Sequence, residues 1–142
     1  MAGGGECRVL DSTRVYQAMS SPVITVPPTA SLREAARIMY ESNVGSAIVV
    51  DDDGRPLGVV TRRDILYLYA SGEACRDPPV RVYMKEPVLT CSPEDTLGEV
   101  LRRMRAAGVR HMVVVDDGGR AVGVVSMYDI LVLLAGECLG EY

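Results

Sequence analysis

Gly58-Val59-Val60-Thr61-Arg62-Arg63-Asp64-Ile65-Leu66 returns 65 positions later (123 − 58) as Gly123-Val124-Val125-Ser126-Met127-Tyr128-Asp129-Ile130-Leu131. In each copy a β-prone run leads into a hydroxyl residue, with a carboxylate three positions on and an apolar stretch behind it. That pattern predicts a strand entering a helix through a Ser or Thr cap, the acidic side chain reaching back to the cap. Working outward at the same offset, Met19-Ser20-Ser21-Pro22-Val23 lies over Met84-Lys85-Glu86-Pro87-Val88, and Thr25 lies over Thr90. Val49-Val50-Asp51-Asp52 lies over Val114-Val115-Asp116-Asp117. The register needs no gap, so the chain is an internal duplication.

Each copy reads locally in the same order. Val23 to Val26 and Val88 to Thr90 are short β-prone runs after a proline. Leu32, Ala35, Ala36 and Met39 follow helical spacing, as do Leu97, Val100, Leu101 and Met104. Asn43 and Gly108 stand where a left-handed helix stop is expected, with Val44 and Val109 to cover it. Ala47 to Val50 and Met112 to Val115 read as buried strands, and Asp51-Asp52-Asp53-Gly54 and Asp116-Asp117-Gly118-Gly119 as turns. Leu57 to Val60 and Val122 to Val125 return as hairpin partners. A last helix starts around Asp64 and Asp129. Ile65 to Tyr69 and Ile130 to Leu134 are apolar on most sides, which predicts burial against another unit. The order is strand, helix, strand, strand, helix, twice, joined by a linker at about Ser71 to Pro79. One copy alone leaves a sheet face uncovered, and two copies packed together cover it.

The composition narrows the function. The chain has 142 residues, 48% hydrophobic and 24% charged, with a net charge of −4. A chain of this length buries about 70% of its unfolded surface, enough for a real core. The acidic balance argues against general nucleic-acid binding, which leaves a basic footprint. The opening Met1-Ala2-Gly3-Gly4-Gly5-Glu6 has no apolar core of a targeting signal, and no apolar run approaches the roughly 18 residues of a membrane span. A cytoplasmic protein without membrane attachment is expected. Cys7, Cys75, Cys91 and Cys138 are scattered, and with His111 the single histidine, a zinc site has little support. Arginine supplies nearly every cation; Lys85 is the single lysine.

Phosphate-loop and dinucleotide glycine motifs are absent, as is any nucleophile paired with His111. The aspartate clusters at 51 and 116 read as solvated turns. What remains is the pair of helix mouths. Thr61 with Asp64, and Ser126 with Asp129, have a plain structural reading as capping boxes. They have a chemical one too. A helix mouth offers unpaired N–H groups and a positive dipole end suited to phosphate. A carboxylate beside it can accept both hydroxyls of a ribose.

The ordered set Met-x-x-Pro-Val, Val-Val-Asp-Asp and Gly-Val-Val-[Thr/Ser]-x-x-Asp-Ile-Leu, found twice, resembles a pair of CBS domains, the Bateman module. The resemblance runs from about Val15 to Leu134. It implies an α/β fold of the α+β kind, two βαββα units packed as a pseudo-two-fold pair with clefts between the halves. Units at 15–70 and 80–135 would be joined by the linker at 71–79, between an extension at 1–14 and a tail at 136–142. It also implies an adenosyl ligand, namely AMP, ADP, ATP or S-adenosylmethionine, acting as regulator with no other cofactor required. Residue by residue, Thr61 and Asp64 match the family's ribose-binding signature in one cleft, and Ser126 and Asp129 in the other. Val23-Ile24 and Val88-Leu89 match the strand whose backbone edges the base. Arg110-His111 match a position often basic in phosphate-binding members; an exposed pair at a helix–strand junction is the alternative. The first copy has Gly45-Ser46 there instead, with Arg62 or Arg63 as possible compensation, so the two clefts are expected to differ.

The resulting expectation is a regulatory binding module, a homodimer as such pairs usually are, signalling to another polypeptide. The apolar Leu131-Val132-Leu133-Leu134 stretch supports dimerisation independently. The alternative is a dimerising scaffold with empty clefts. An enzyme is not expected, because only about 15 residues precede the repeats and 8 follow them.

Overall fold

Both copies fold in the order that hydrophobic periodicity predicts. The computed structural model describes residues 4–139, with side chains over 8–136; Cys7, Cys138 and the first three residues lie outside that description. After α1 (Gly4–Ser12), the first repeat runs β1 (Thr25–Val26), α2 (Leu32–Ser42), β2 (Ser46–Val50), β3 (Pro56–Thr61) and α3 (Arg62–Ser71). The second runs β4 (Thr90–Cys91), α4 (Leu97–Ala107), β5 (His111–Val115), β6 (Ala121–Ser126) and α5 (Met127–Leu139).

The helix limits follow from caps. Ser31 accepts a hydrogen bond from the Glu34 amide at 3.1 Å, and the Glu34 carboxylate accepts one from the Ser31 amide at 2.9 Å, which starts α2. Thr96 starts α4 by accepting from the Glu99 amide. Asn43 ends α2 at φ 55° and Gly108 ends α4 at φ 70°. Asn and Gly are the residues that enter this left-handed region at least cost. Between the caps, Leu32, Ala35 and Met39 are buried on α2, and Leu97, Val100 and Met104 on α4.

The sheets have the orders β1-β2-β3 and β4-β5-β6. β1 is parallel to β2, β4 is parallel to β5, and β2 is antiparallel to β3. That last register sets Ser46 opposite Thr61. The first strands begin two residues later than the pattern at Val23 and Val88 suggests. Ile24 and Leu89 contribute only a carbonyl, accepting from the Ile48 and Val113 amides at 2.9 and 3.0 Å, so regular pairing starts at Thr25 and Thr90.

The compact units cut across the repeats. One, here the repeat-1 unit, holds Pro22–Val88 with Gly119–Ala121. The other, the repeat-2 unit, holds the chain up to Ser21, Leu89–Gly118 and the chain from Val122. Backbone pairing explains the exchange. Ser20, ahead of the first repeat, trades two hydrogen bonds with Val124 on β6, at 2.8 and 3.1 Å. Lys85, ahead of the second repeat, trades two with Val59 on β3, at 2.9 and 3.1 Å. The N-terminal segment accordingly supplies buried Val15 and half-buried Leu10 and Met19 to the repeat-2 core. The connection at 71–79 is folded too: Glu73–Arg76 form a 3-10 turn whose Ala74 is buried in the repeat-1 core.

The last helices depart from expectation. Ile65 and Leu68 on α3 and Ile130 on α5 are buried, but Leu66, Tyr67 and Tyr69, and Tyr128, Leu131 and Val132, are exposed. A helix three turns long offers its own sheet only one stripe, so the further apolar residues face outward.

Candidate functional site

The two helix mouths carry the capping boxes that the motif predicts. At α3 the Thr61 hydroxyl accepts from the Asp64 amide at 3.3 Å. Asp64 Oδ2 in return accepts from the Thr61 amide at 2.9 Å and from its hydroxyl at 3.0 Å. At α5 the Ser126 hydroxyl accepts from the Asp129 amide at 3.1 Å, and Asp129 Oδ2 accepts from the Ser126 amide at 2.9 Å. The capping role is therefore real in both copies. It commits one oxygen of each carboxylate and leaves Oδ1 for something else.

What Oδ1 meets differs between the repeats. Lys85 Nζ lies 2.9 Å from Asp64 Oδ1; the aspartate side chain is 8% exposed and the lysine side chain 69%. Asp64 is the one buried charged residue among the described residues. Position 20, which lies over Lys85 in the duplication, is serine. Among the described residues no ion pair reaches Asp129, which is half-buried. Its charge is felt by the His111 imidazole. Burial draws that group below its usual 6.5, the Asp129 charge works the other way, and the Arg110 guanidinium adds to the lowering.

The repeats also exchange the residue that carries a guanidinium. A Cβ on Gly45 would sit 3.2 Å from both Nε and Nη2 of Arg62, so the Arg62 head group occupies the space a side chain at position 45 would enter. The second repeat has Arg110 at that position and Met127 where the first has Arg62. One backbone contact is common to both: the Arg62 amide donates to Gly45 O at 3.1 Å and the Met127 amide to Arg110 O at 2.9 Å. Gly45-Ser46 thus does not leave the first repeat without a cation at the helix mouth.

Beside Asp64 lies a cavity of about 380 Å³ lined by Arg63, Asp64, Tyr67, Leu68, Tyr83 and Lys85. The Tyr83 hydroxyl is buried and has no hydrogen-bond partner among the described residues. Its pKa is pushed up to about 12, first by burial and then by the Asp64 and Asp77 charges. Of the residues singled out in the sequence, Arg63 and Asp64 share this cavity, with Thr61 on the cap. Ser46, opposite Thr61, and Val23 and Ile24, ahead of β1, do not line it. Val88 and Leu89 are half-buried ahead of β4; Arg110 and His111 are surface residues where β5 begins, the His111 ring being partly desolvated there. Sequence reasoning missed Lys85 and Tyr83. The signal for Lys85 was its being the single lysine, inside the Met-x-x-Pro motif. Among the described residues no cluster of His, Cys, Asp and Glu could hold a metal ion, and no helix is long and apolar enough to cross a membrane.

The family model for the CBS domain matches residues 15–71 and again 80–136. This chain belongs to the CBS-domain family. Its fold is similar to that of a CBS domain pair solved with 5′-methylthioadenosine and S-adenosyl-L-methionine, at 30% identity and TM-score 0.78, covering 88% of this chain and 98% of that one. It is also similar to a CBS domain protein from Pyrobaculum aerophilum complexed with AMP, at 33% identity and TM-score 0.71, covering 86% and 98%. In sequence it is 35% identical over 113 residues to the gamma-3 subunit of 5′-AMP-activated protein kinase from Sus scrofa, which is 72% of this chain and 21% of that subunit. The chain spans 62%, 35%, 37% and 21% of the length of four curated relatives that it matches.

Proposed function

We propose that this CBS pair is a regulatory module that binds an adenosyl ligand, AMP, ADP, ATP or S-adenosylmethionine, at its two capped carboxylates and passes occupancy to a partner protein. The observation that carries the reading is the paired placement of Asp64 and Asp129. Each is fixed at the third residue of a helix by its hydroxyl cap, with Oδ1 outside the capping bonds. A carboxylate so fixed can accept ribose hydroxyls through Oδ1 without turning away from its cap, beside helix N–H groups suited to phosphate. Arg62 and Arg63 in one unit, and Arg110 and His111 in the other, supply positive charge for the phosphate. The similar structures that hold AMP, or methylthioadenosine and S-adenosylmethionine, support the ligand class. Regulation follows if the ligand binds one conformation better than another. The exposed Leu131 and Val132 on α5 support a homodimer, since apolar side chains there are covered when a second copy packs on them.

Calorimetric titration of nucleotide-free protein with AMP, ATP and S-adenosylmethionine tests the reading, alongside Asp64→Ala and Asp129→Ala. Micromolar binding of one ligand, lost in the matching variant, is the expected result. A second reading, a dimerising scaffold with no ligand, is favoured by one observation: both Asp64 oxygens already have partners within the chain. Absence of heat and of thermal stabilisation with all three ligands would decide for the scaffold.

A further inference from the structure

The geometry points to Lys85 as the specificity-determining residue of the repeat-1 unit. It holds the Asp64 carboxylate until a phosphate-bearing ligand takes over its ammonium group, so this site selects phosphorylated adenosyl ligands over uncharged or cationic ones. The inference rests on the adenosyl reading above and adds to it a rule for which ligand enters which unit.

Three observations carry it. Asp64 is buried and both of its oxygens are engaged, Oδ2 by the Thr61 cap and Oδ1 by Lys85 at 2.9 Å. A ribose can use Oδ1 only if Lys85 leaves. Lys85 is able to leave, because its backbone is pinned to Val59 while its side chain is 69% exposed. An ammonium on a flexible stem exchanges partners more readily than a bidentate guanidinium would, and this chain uses lysine here alone against fourteen arginines elsewhere. Finally, Lys85 and Arg63 line one cavity with the buried, unpartnered Tyr83 hydroxyl, which places two cations and a spare hydrogen-bonding group beside the carboxylate. An anion entering there pairs with Lys85 and frees Oδ1. A neutral nucleoside must break the ion pair without replacing it, and a sulfonium meets two like charges. The repeat-2 unit has Ala18, Ser20 and Tyr128 where the repeat-1 unit has Tyr83, Lys85 and Arg63, so Asp129 is not guarded in this way.

The single lysine and the histidine at the other helix mouth make the test direct. Full-length protein labelled with nitrogen-15 gives one lysine ammonium signal, and the Asp64 and Asp129 amides report the two sites in every variant. AMP and adenosine are titrated into wild type and Lys85→Ser, the serine being the residue the other repeat carries. In wild type AMP is expected to shift the Lys85 signal and to bind at Asp64 at least about tenfold more tightly than adenosine. In Lys85→Ser adenosine tightens, AMP weakens, and the preference falls to within about threefold. Melting curves check that the variant is folded. An unchanged preference in Lys85→Ser overturns the proposal, as does equal weakening of both ligands. A response confined to the Asp129 amide overturns it while leaving the adenosyl reading intact; no response at either amide overturns both.

Discussion

Met84 lies so close over Gly58 that a Cβ at position 58 would fall 2.6 Å from its sulfur and 2.7 Å from its Cγ. The duplication repeats this contact with Met19 over Gly123, where a Cβ would fall 2.7 Å from the sulfur and 3.1 Å from the Ser20 carbonyl oxygen. Glycine in β3 and β6 thus marks the close approach of another segment rather than a turn. Gly58→Ala and Gly123→Ala should each cost about 1–3 kcal/mol by overpacking. Rescue should be partial at both. Met84→Ala removes the sulfur and Cγ contacts of Gly58→Ala but keeps the Cβ of residue 84 at 3.0 Å, and Met19→Ala leaves the alanine at 123 against the Ser20 carbonyl oxygen at 3.1 Å. Denaturant unfolding of the two double-mutant cycles should show a favourable coupling in each, and strictly additive losses would contradict this packing account.

Tyr83 should trade stability against binding. Tyr83→Phe deletes a buried hydroxyl with no partner among the described residues, and a gain of about 1 kcal/mol is expected at neutral pH. The gain should widen in alkali. The folded-state pKa is raised to about 12 while the unfolded tyrosine ionises near 10, so wild-type stability from this group is lost as pH rises from 10 to 12. Stability curves at pH 8 and 10.5 check both parts. Weaker AMP binding at Asp64 in the stabilised variant would mark the hydroxyl as a ligand contact, and a variant less stable than wild type would show that it has a partner.

His111 should make the repeat-2 site sensitive to mild acid. Its folded pKa is lowered, so the fold favours the neutral ring, and this contribution to stability is lost as pH falls below 6.5 toward the folded value. A phosphate bound beside it would favour the protonated ring. AMP affinity at that site should therefore increase as pH falls through the same range, with proton uptake on binding. The imidazole signal followed with pH, with and without AMP, measures this directly; an apparent pKa that does not rise when AMP binds removes His111 from the site.

The sequence made the fold legible wherever a local rule decided the outcome. Asn43 over Gly108 announced two helix stops, and both residues adopt the left-handed conformation that the pairing implied. Thr61-x-x-Asp64 announced a capping box, which is present to the last hydrogen bond. The same rules could not reach the Lys85 pairing, because it joins residues 21 positions apart (85 − 64) through a strand pairing that no periodicity records. Exposure of Leu66 and Tyr67 was equally hidden: a helix apolar all round does not say which of its faces has a neighbour in the same chain. The exchange between Gly45 with Arg62 and Arg110 with Met127 was half visible as a missing cation; the side-chain direction that fills the gap was not.

The swapped membership of Met19 and Met84 ties each repeat to the segment that leads into the other. A cut through 71–79 would therefore not yield two independent folding units: each fragment would carry the strap that its sibling needs.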